Sequence, residues 1–202
     1  FGSVQTTTNV WRTASPLEQG LPAVLLVGTH ASNALNVYRG SVGVALESGQ
    51  TSTIATLRVG YMTSVDTDAN VRLGSGVTLT TIEKSGGFLE VNSAFTTLNH
   101  QAGETVVNGS GAATTINLDG GYIRYNSSGT ITTLVVSGGA TIDFSGDMRA
   151  KTVTNCTILK GGRFLDPYGV VTVTNGWDFY ECRHEDCEIV TGSHYTLTKS
   201  SI

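Results

Sequence analysis

The residues most able to do chemistry are concentrated near the C-terminal end, in the segment Cys182-Arg183-His184-Glu185-Asp186-Cys187. Two thiols and one imidazole are ligand types that zinc prefers, and Cys156 could supply a fourth ligand. Their spacing matches no zinc-finger or zinc-ribbon pattern. Free cysteine is also among the most buried residue types, so Cys182, Cys187 and Ile189 can instead point inward as small hydrophobic residues, with Arg183, Glu185 and Asp186 outside. We therefore expect buried thiols here, with no metal and no cofactor.

Carboxylates suggest a second chemistry, because solenoid enzymes that cut polysaccharide place two or three of them on neighbouring coils of one face. The candidates are Asp119, Asp143, Asp147, Asp166 and Asp178. When the chain is aligned on its glycine turns, Asp119 precedes a turn and Asp143 follows one, so these two lie on different faces. No acidic pair recurs at one position of successive repeats. The sequence therefore predicts that the chain is not an enzyme.

Aromatic residues are the remaining candidates for recognition, since a carbohydrate-binding groove needs exposed rings. Tyr122 and Tyr125 fall on one repeat, and Phe88 occupies the position equivalent to Tyr122 in an earlier repeat. Aromatic side chains in solenoid columns commonly fill the interior, so we expect core or edge packing and keep polysaccharide binding as an alternative. The Gly-Gly pairs lack phosphate-loop spacing, which argues against a nucleotide site.

All these residues must be positioned by a repeat that runs from Thr80 to Gly139: a Thr-Thr pair, an aliphatic residue, polar positions, then glycines. The Thr-Thr pairs begin at positions 80, 96, 114 and 132, at intervals of 16, 18 and 18 residues. Helical repeats need about 33 to 47 residues, so this period favours a β-solenoid. Coils stacked about 4.8 Å apart would align four aliphatic residues in one buried column. They are Ile82, Leu98, Ile116 and Leu134.

The composition agrees with a rod of strands. Charged residues make up 14% of the 202 residues, the net charge is −4, and there are 25 glycines but 3 prolines. Runs of Thr, Val and Ile favour strands over helices. Such a weakly charged surface suits neither nucleic acid nor an anionic membrane. The longest apolar run, residues 21–27, is far shorter than the roughly 20 residues of a membrane span.

We predict an all-β fold: a single-stranded-stack parallel β-helix (β-solenoid), right-handed winding favoured, with an extended N-terminal arm and a C-terminal cap. The arm spans 1–20, capping strands and first coils 21–60, regular coils 61–150, and looser coils with the distal cap 151–202. The arm carries a Trp without a periodic apolar face, so its ring must lie on the rod or on a neighbouring subunit. The predicted partner-binding residues are Val4, Val10, Trp11, Leu17 and Leu21.

Several segments resemble β-solenoid structural proteins encoded in tailed-bacteriophage genomes. They are residues 71–82 (VRLGSGVTLTTI), 126–134 (NSSGTITTL), 165–169 (LDPYG) and 195–198 (YTLT). The resemblance extends over residues 40 to 199 and includes no active-site motif. Proteins of this kind are capsid decorations, head fibres or tail spikes, so the resemblance implies a structural protein of the virion.

The expected function is therefore structural: a homo-oligomer, a trimer favoured, that decorates or cements the surface of a phage head. Its N-terminal arm would bind the major capsid protein or other copies of the chain, with no nucleic-acid or membrane partner. Two alternatives stay open. One is a tail-spike or fibre module that binds or cleaves surface polysaccharide, and the other is a passenger fragment of a bacterial adhesin.

Overall fold

The computed structural model describes residues 7–11, 22–29, 33–60 and 69–192. In these ranges the chain forms twenty strands, numbered β1 to β20 in chain order, and one short 3-10 turn at His184–Asp186. Every pairing between these strands is parallel. The predicted all-β parallel solenoid is confirmed.

The strands form two sheets, and the chain passes from one to the other in each coil. Sheet A contains β1 (Thr7–Val10), β3 (Gly28–Thr29), β4 (Ala34–Val37), β6 (Ser52–Val59), β8 (Val77–Lys84), β10 (Phe95–His100), β12 (Ala113–Leu118), β14 (Ile131–Val136), β16 (Lys151–Leu159), β18 (Val171–Val173) and β19 (Trp177–Tyr180). Sheet B contains β2 (Val24–Leu26), β5 (Gly40–Val44), β7 (Ala69–Leu73), β9 (Phe88–Val91), β11 (Glu104–Val107), β13 (Tyr122–Tyr125), β15 (Thr141–Asp143), β17 (Arg163–Asp166) and β20 (Glu188–Thr191).

The register places the aliphatic residues of the repeat directly above one another. One column of sheet A consists of Leu57, Ile82, Leu98, Ile116, Leu134 and Cys156. Each of these side chains is at most 2% exposed. Burying one aliphatic side chain stabilises a fold by roughly 1.5–3 kcal/mol, so such columns hold the coils together. The predicted column is thus confirmed as part of the core.

The Thr-Thr pair of each repeat marks a bend in sheet A. Strand alternation would place one of Thr96 and Thr97 inside, yet neither is buried, whereas Phe95 and Leu98 are. The same burial pattern recurs in β12 and β14. Two consecutive outward residues change which residues face inward, so each strand turns a corner at this point. The bend explains why the repeat carries two Thr residues in succession.

A tight turn carries the chain from sheet A to sheet B. The residue just before β9, β11 and β13 of sheet B is a glycine with a positive φ, for example 82° at Gly103 and 75° at Gly121. The amide of Tyr122 donates to the Gly103 carbonyl at 3.0 Å, which stacks each turn directly on the previous one. Glycine is required here because the left-handed backbone is costly for other residues and the turns approach closely.

The solenoid extends beyond the regular repeat at both ends. Thr7–Val10 pair with β4, so this part of the predicted arm belongs to sheet A. At the other end β18 and β19 both pair with β16, and β20 pairs with β17. Trp177 and Phe179 of β19 pack against the last part of the core.

Candidate functional site: the first coil and the outer face of sheet B

The predicted partner-binding residues lie partly in the first coil. Val10 ends β1 and packs, half-buried, against the core. Trp11 stacks on Tyr38 of the same chain, with ring centroids 4.3 Å apart and an interplanar angle of 25°. Its ring therefore contacts the flank of its own rod, one of the two placements expected. The other three predicted residues, Val4, Leu17 and Leu21, lie outside the described residues.

Three large apolar side chains of the first coil are exposed. Trp11 is 61% exposed, and Leu25 and Val27 are each 59% exposed. We call these three residues the N-terminal patch. Leu25 projects from the outer face of β2 over Gly43, where an added Cβ would lie 2.9 Å from Leu25 Cδ2. Exposed apolar side chains that lie close together are typical of a contact surface.

A polar cluster occupies the outer face of sheet B, where Tyr122, Arg124 and Asp143 lie on adjacent coils. The Tyr122 hydroxyl donates a short hydrogen bond to the Asp143 carboxylate, and the Arg124 guanidinium lies 5.7 Å from the Tyr122 ring centroid. Burial, and next the bond to Asp143, raises the pKa of Tyr122. Burial acts to raise the pKa of Asp143, but hydrogen bonds from Tyr122 and Ser145 outweigh it and lower the pKa.

Four of the five candidate carboxylates act as structural hydrogen-bond acceptors. Asp119 accepts a hydrogen bond from Ser137 Oγ at 3.0 Å, and Asp143 accepts from Tyr122 Oη and Ser145 N. Asp147 accepts from Arg149 N at 3.0 Å. Asp166 accepts from Val170 N at 2.9 Å and from Val171 N at 3.0 Å. Asp178 lies exposed on β19 in sheet A, whereas Asp143 lies on sheet B. The five residues thus fall on different strands and turns, as the alignment on glycine turns predicts for Asp119 and Asp143.

The predicted equivalence of Phe88 and Tyr122 is confirmed, since both are in register with Glu104 on sheet B. Phe88 and Tyr122 are half-buried on its outer side, while Tyr125 is fully buried. Tyr125 Oη donates to the Gly129 carbonyl at 3.0 Å. Burial raises the pKa of Tyr125 to about 12. The aromatics therefore divide into core and edge positions, as expected.

Sequence reasoning missed two buried basic residues, Lys84 and His100, which are paired in adjacent strands of sheet A. Lys84 Nζ donates to the carbonyls of Gly86, Gly87 and Ala102 at 2.6, 2.6 and 3.0 Å. His100 Nδ1 donates to the Gly120 carbonyl at 2.8 Å. The repeat contains a signal for both residues. Lys84 and His100 each lie two positions after the buried aliphatic residue of their strand. In a later coil the equivalent residue is Val136, which faces the core.

Burial lowers the pKa of both basic groups. Burial lowers the pKa of Lys84 to about 7, opposed by the charge of Glu104. Burial, and next the charge of Lys84, lowers the pKa of His100 to about 4. Neutral His100 is thus the form that the folded chain favours near pH 7. Both groups lie inside the rod, a position that suits hydrogen bonding to the glycine turns rather than contact with a substrate.

The cysteines lie at two places in the fold. Cys156 is buried in the aliphatic column, where burial raises the pKa of its thiol to about 12. Cys182 and Cys187 are half-buried at either side of the 3-10 turn. Among the described residues, no three His, Cys, Asp or Glu side chains are grouped so that they could hold a metal ion. The same part of the chain has no helix with the length and apolarity that a membrane crossing needs.

In comparisons with known proteins, no family model, no curated protein and no solved structure gives a significant match to this chain.

Proposed function

We propose that the chain is a structural protein of a tailed-bacteriophage virion, which decorates or cements the capsid surface. The observation that carries this proposal is the unbroken parallel stack from β1 to β20, whose interior is filled with in-register side chains. A stack of this kind is a stiff body in which each coil depends on its neighbours. Stiffness and a defined end are the properties that a decoration needs.

The state of the acidic residues supports a non-enzymatic role. A general acid at neutral pH needs a carboxyl whose pKa is raised toward 7. The pKa values of Asp143 and Asp147 move in the opposite direction, below their ordinary value. Hydrogen bonds within the fold outweigh the burial of each group. These carboxylates are suited to fixing side chains and turns in place.

The N-terminal patch supports attachment through the first coil. Trp11, Leu25 and Val27 offer apolar area that a partner can bury, and a tryptophan is the residue type most enriched at binding hot spots. The proposed partners are the major capsid protein and other copies of this chain. A closed symmetric homo-oligomer, with a trimer favoured, would bury the same patch of every copy.

The proposal is tested on purified tailed particles from the source of the sequence. We expect peptides of this chain in the particles by mass spectrometry, and immunogold label on the head surface. Light scattering on the isolated chain then measures its oligomeric state. Absence of the chain from intact particles would overturn the virion assignment, and label confined to the tail would overturn the capsid location.

Polysaccharide binding is a second candidate because the half-buried ring of Tyr122 lies on the outer face of sheet B beside Arg124. Aromatic faces and planar cations both suit sugar rings and their acidic substituents. A glycan array distinguishes the two candidates. Binding that disappears in Tyr122→Ala but survives in Tyr168→Ala, an exposed tyrosine outside the cluster, would favour this module.

A further inference from the structure

The 3-10 turn at the distal end brings two thiols together. Cys182 Sγ lies 3.6 Å from Cys187 Sγ, although five positions separate the two residues in sequence. Glu181 adopts a positive φ of 55°, which turns the chain out of β19 just before Cys182. The turn then closes through the Cys187 amide, which donates to the His184 carbonyl at 3.2 Å. The approach of the two sulfurs therefore follows from the backbone.

The same turn fixes both thiols against the end of one strand. Cys182 Sγ donates to the Ile158 carbonyl and Cys187 Sγ to the Leu159 carbonyl, each at 3.4 Å. The Arg183 amide donates to the Asp186 carboxylate at 3.0 Å and holds the turn closed. A thiol is a weak donor, so replacing these two contacts by a covalent bond loses little hydrogen bonding.

We propose that Cys182 and Cys187 are a reversible oxidation site, which forms an intramolecular disulfide by exchange with a small disulfide such as oxidised glutathione. A disulfide bond is about 2.05 Å long, so the sulfurs must approach by about 1.5 Å. Both residues lie outside the strands, at the two sides of a short exposed turn. Rotation of the two side chains with a small adjustment of this turn brings the sulfurs to bonding distance.

The exchange proceeds in two displacements. One cysteine thiolate attacks a sulfur of oxidised glutathione, forms a mixed disulfide and releases one glutathione thiolate. The second cysteine thiolate then attacks the cysteine sulfur of that mixed disulfide and releases the second glutathione thiolate. The two protons of the cysteine thiols pass to the two released thiolates. The protein thiols lose two electrons, and one oxidised glutathione is reduced to two molecules of glutathione.

The reaction should be slow at neutral pH and faster in mild alkali. Burial, and next the hydrogen bond with Cys187, raises the pKa of Cys182 to about 11. Only the thiolate attacks a disulfide, and its fraction grows as the pH rises toward that pKa. The ring that the cross-link closes is short, so its direct effect on stability is small. Its main effect is to hold the turn, including His184, against Phe179 at the end of the core.

Trypsin provides a sharp test, because cleavage after Lys and Arg separates the three cysteines. Cys156 falls in peptide 152–160, Cys182 in 164–183 and Cys187 in 184–199. The full chain is incubated with oxidised glutathione at pH 8.5, alkylated in denaturant and digested. We expect the last two peptides to appear as one linked species that dithiothreitol separates, and an intact chain lighter by two hydrogens. Peptide 152–160 should remain fully alkylated.

Two variants serve as controls. Cys156→Ser should form the linked species as the parent chain does, whereas Cys182→Ser should keep peptide 184–199 unlinked. Full alkylation of both Cys182 and Cys187 after oxidation would overturn the proposal. A glutathione adduct that never closes, or a cross-link that includes Cys156, would overturn it as well. None of these outcomes depends on the virion function.

Discussion

At the scale of single residues, the interior of the rod combines apolar columns with buried basic groups that bind glycine turns. Lys84 is 1% exposed and donates to three carbonyls, two from its own coil and one from the next. His100 repeats this arrangement one coil further along, with one carbonyl of the following turn. Lys84 thereby stabilises two successive turns and His100 one turn, each at the cost of burying a polar atom. The His100 Nε2 atom is buried without a hydrogen-bond partner among the described residues.

Replacing His100 by Leu should remove a pH dependence of stability. The unfolded chain protonates this imidazole below pH 6.5, whereas the folded chain does so only near pH 4. The unfolded state therefore binds more protons between these values, and stability falls as the pH falls through this window. The expected loss is at most about 3 kcal/mol in the parent chain. Leu is the natural residue at the equivalent position 118.

This prediction is checked by urea denaturation at pH 7, 5.5 and 4. The free energy of unfolding should decrease more steeply with falling pH in the parent chain than in His100→Leu. Equal slopes for the two chains would contradict a buried neutral imidazole.

Gly121 and Gly139 allow the effect of backbone strain to be separated from that of crowding. Their φ values, 75° and 78°, are nearly equal, so an alanine at either position adopts the same unfavourable left-handed backbone. An added Cβ at Gly121 would lie 2.5 Å from the Gly103 carbonyl oxygen, whereas at Gly139 nothing lies within 4 Å. We expect Gly139→Ala to cost about 1–2 kcal/mol and Gly121→Ala distinctly more. Thermal unfolding of both variants provides the measurement, and equal losses would contradict the close stacking of turns.

At the scale of strands and turns, the buried aliphatic column should contribute more to stability than the exposed threonines of the same strands. Ile116→Ala removes a fully buried side chain in the middle of the column and should cost about 2–5 kcal/mol. Thr114→Ala, on the exposed side of the same strand, should change stability by less than about 0.5 kcal/mol. Chemical denaturation of the two variants measures both effects. A larger loss in Thr114→Ala than in Ile116→Ala would contradict the account of the core.

The sequence predicted the elements of the regular region because their period is carried by strong signals. The aliphatic residue after each Thr-Thr pair and the glycines after it fix both the column and the turn, which the register confirms. Lys84 and His100 were missed because charged and polar side chains are ordinarily expected at the surface, so their positions were not recognised as facing inward. Part of the hydrogen bonding comes from the next coil, through the carbonyls of Ala102 and Gly120, which no local pattern reveals.

The ends of the chain were harder to predict than its middle. Thr7–Val10 lack glycine turns and the full repeat, so their pairing with β4 gave no sequence signal. Cys182 and Cys187 were expected to be buried thiols that point inward, but they are half-buried on either side of a 3-10 turn. That turn depends on the left-handed backbone of Glu181, a rare conformation for a residue other than glycine. The right-handed winding stays a prediction.

At the scale of the whole molecule, the two ends of the solenoid differ in the apolar side chains that they expose. The first coil exposes the N-terminal patch. At the distal end Trp177 and Phe179 pack against the core, with the ring of Trp177 on Phe164 at a centroid distance of 4.7 Å, while Tyr180 and Val190 are exposed. Because Thr7–Val10 are a strand of sheet A, deletion of residues 1–20 would damage the fold as well as remove contacts. Single substitutions are therefore the better test of attachment.

Leu25→Ser should weaken binding to particles that lack this chain, because it removes exposed apolar area without removing a core side chain. Tyr180→Ser is the matched control, since Tyr180 is 56% exposed, against 59% for Leu25, and lies at the opposite end of the rod. Removing a binding hot spot costs about 2 kcal/mol or more, so we expect the Kd of Leu25→Ser to rise at least about tenfold. Co-sedimentation measures the Kd of both variants. Equal binding by the two would count against attachment through the first coil.

We propose that this chain is a passive rod fixed to a larger particle by its N-terminal coil. Electron cryo-microscopy of the tailed particle tests it most directly, because it locates the chain and its polarity together. The account predicts a narrow stack of parallel coils on the head, with Leu25 at the particle surface and Cys182 pointing away from it. Density that contacts the particle through the turn at His184–Asp186, or particles without this chain, would contradict the account.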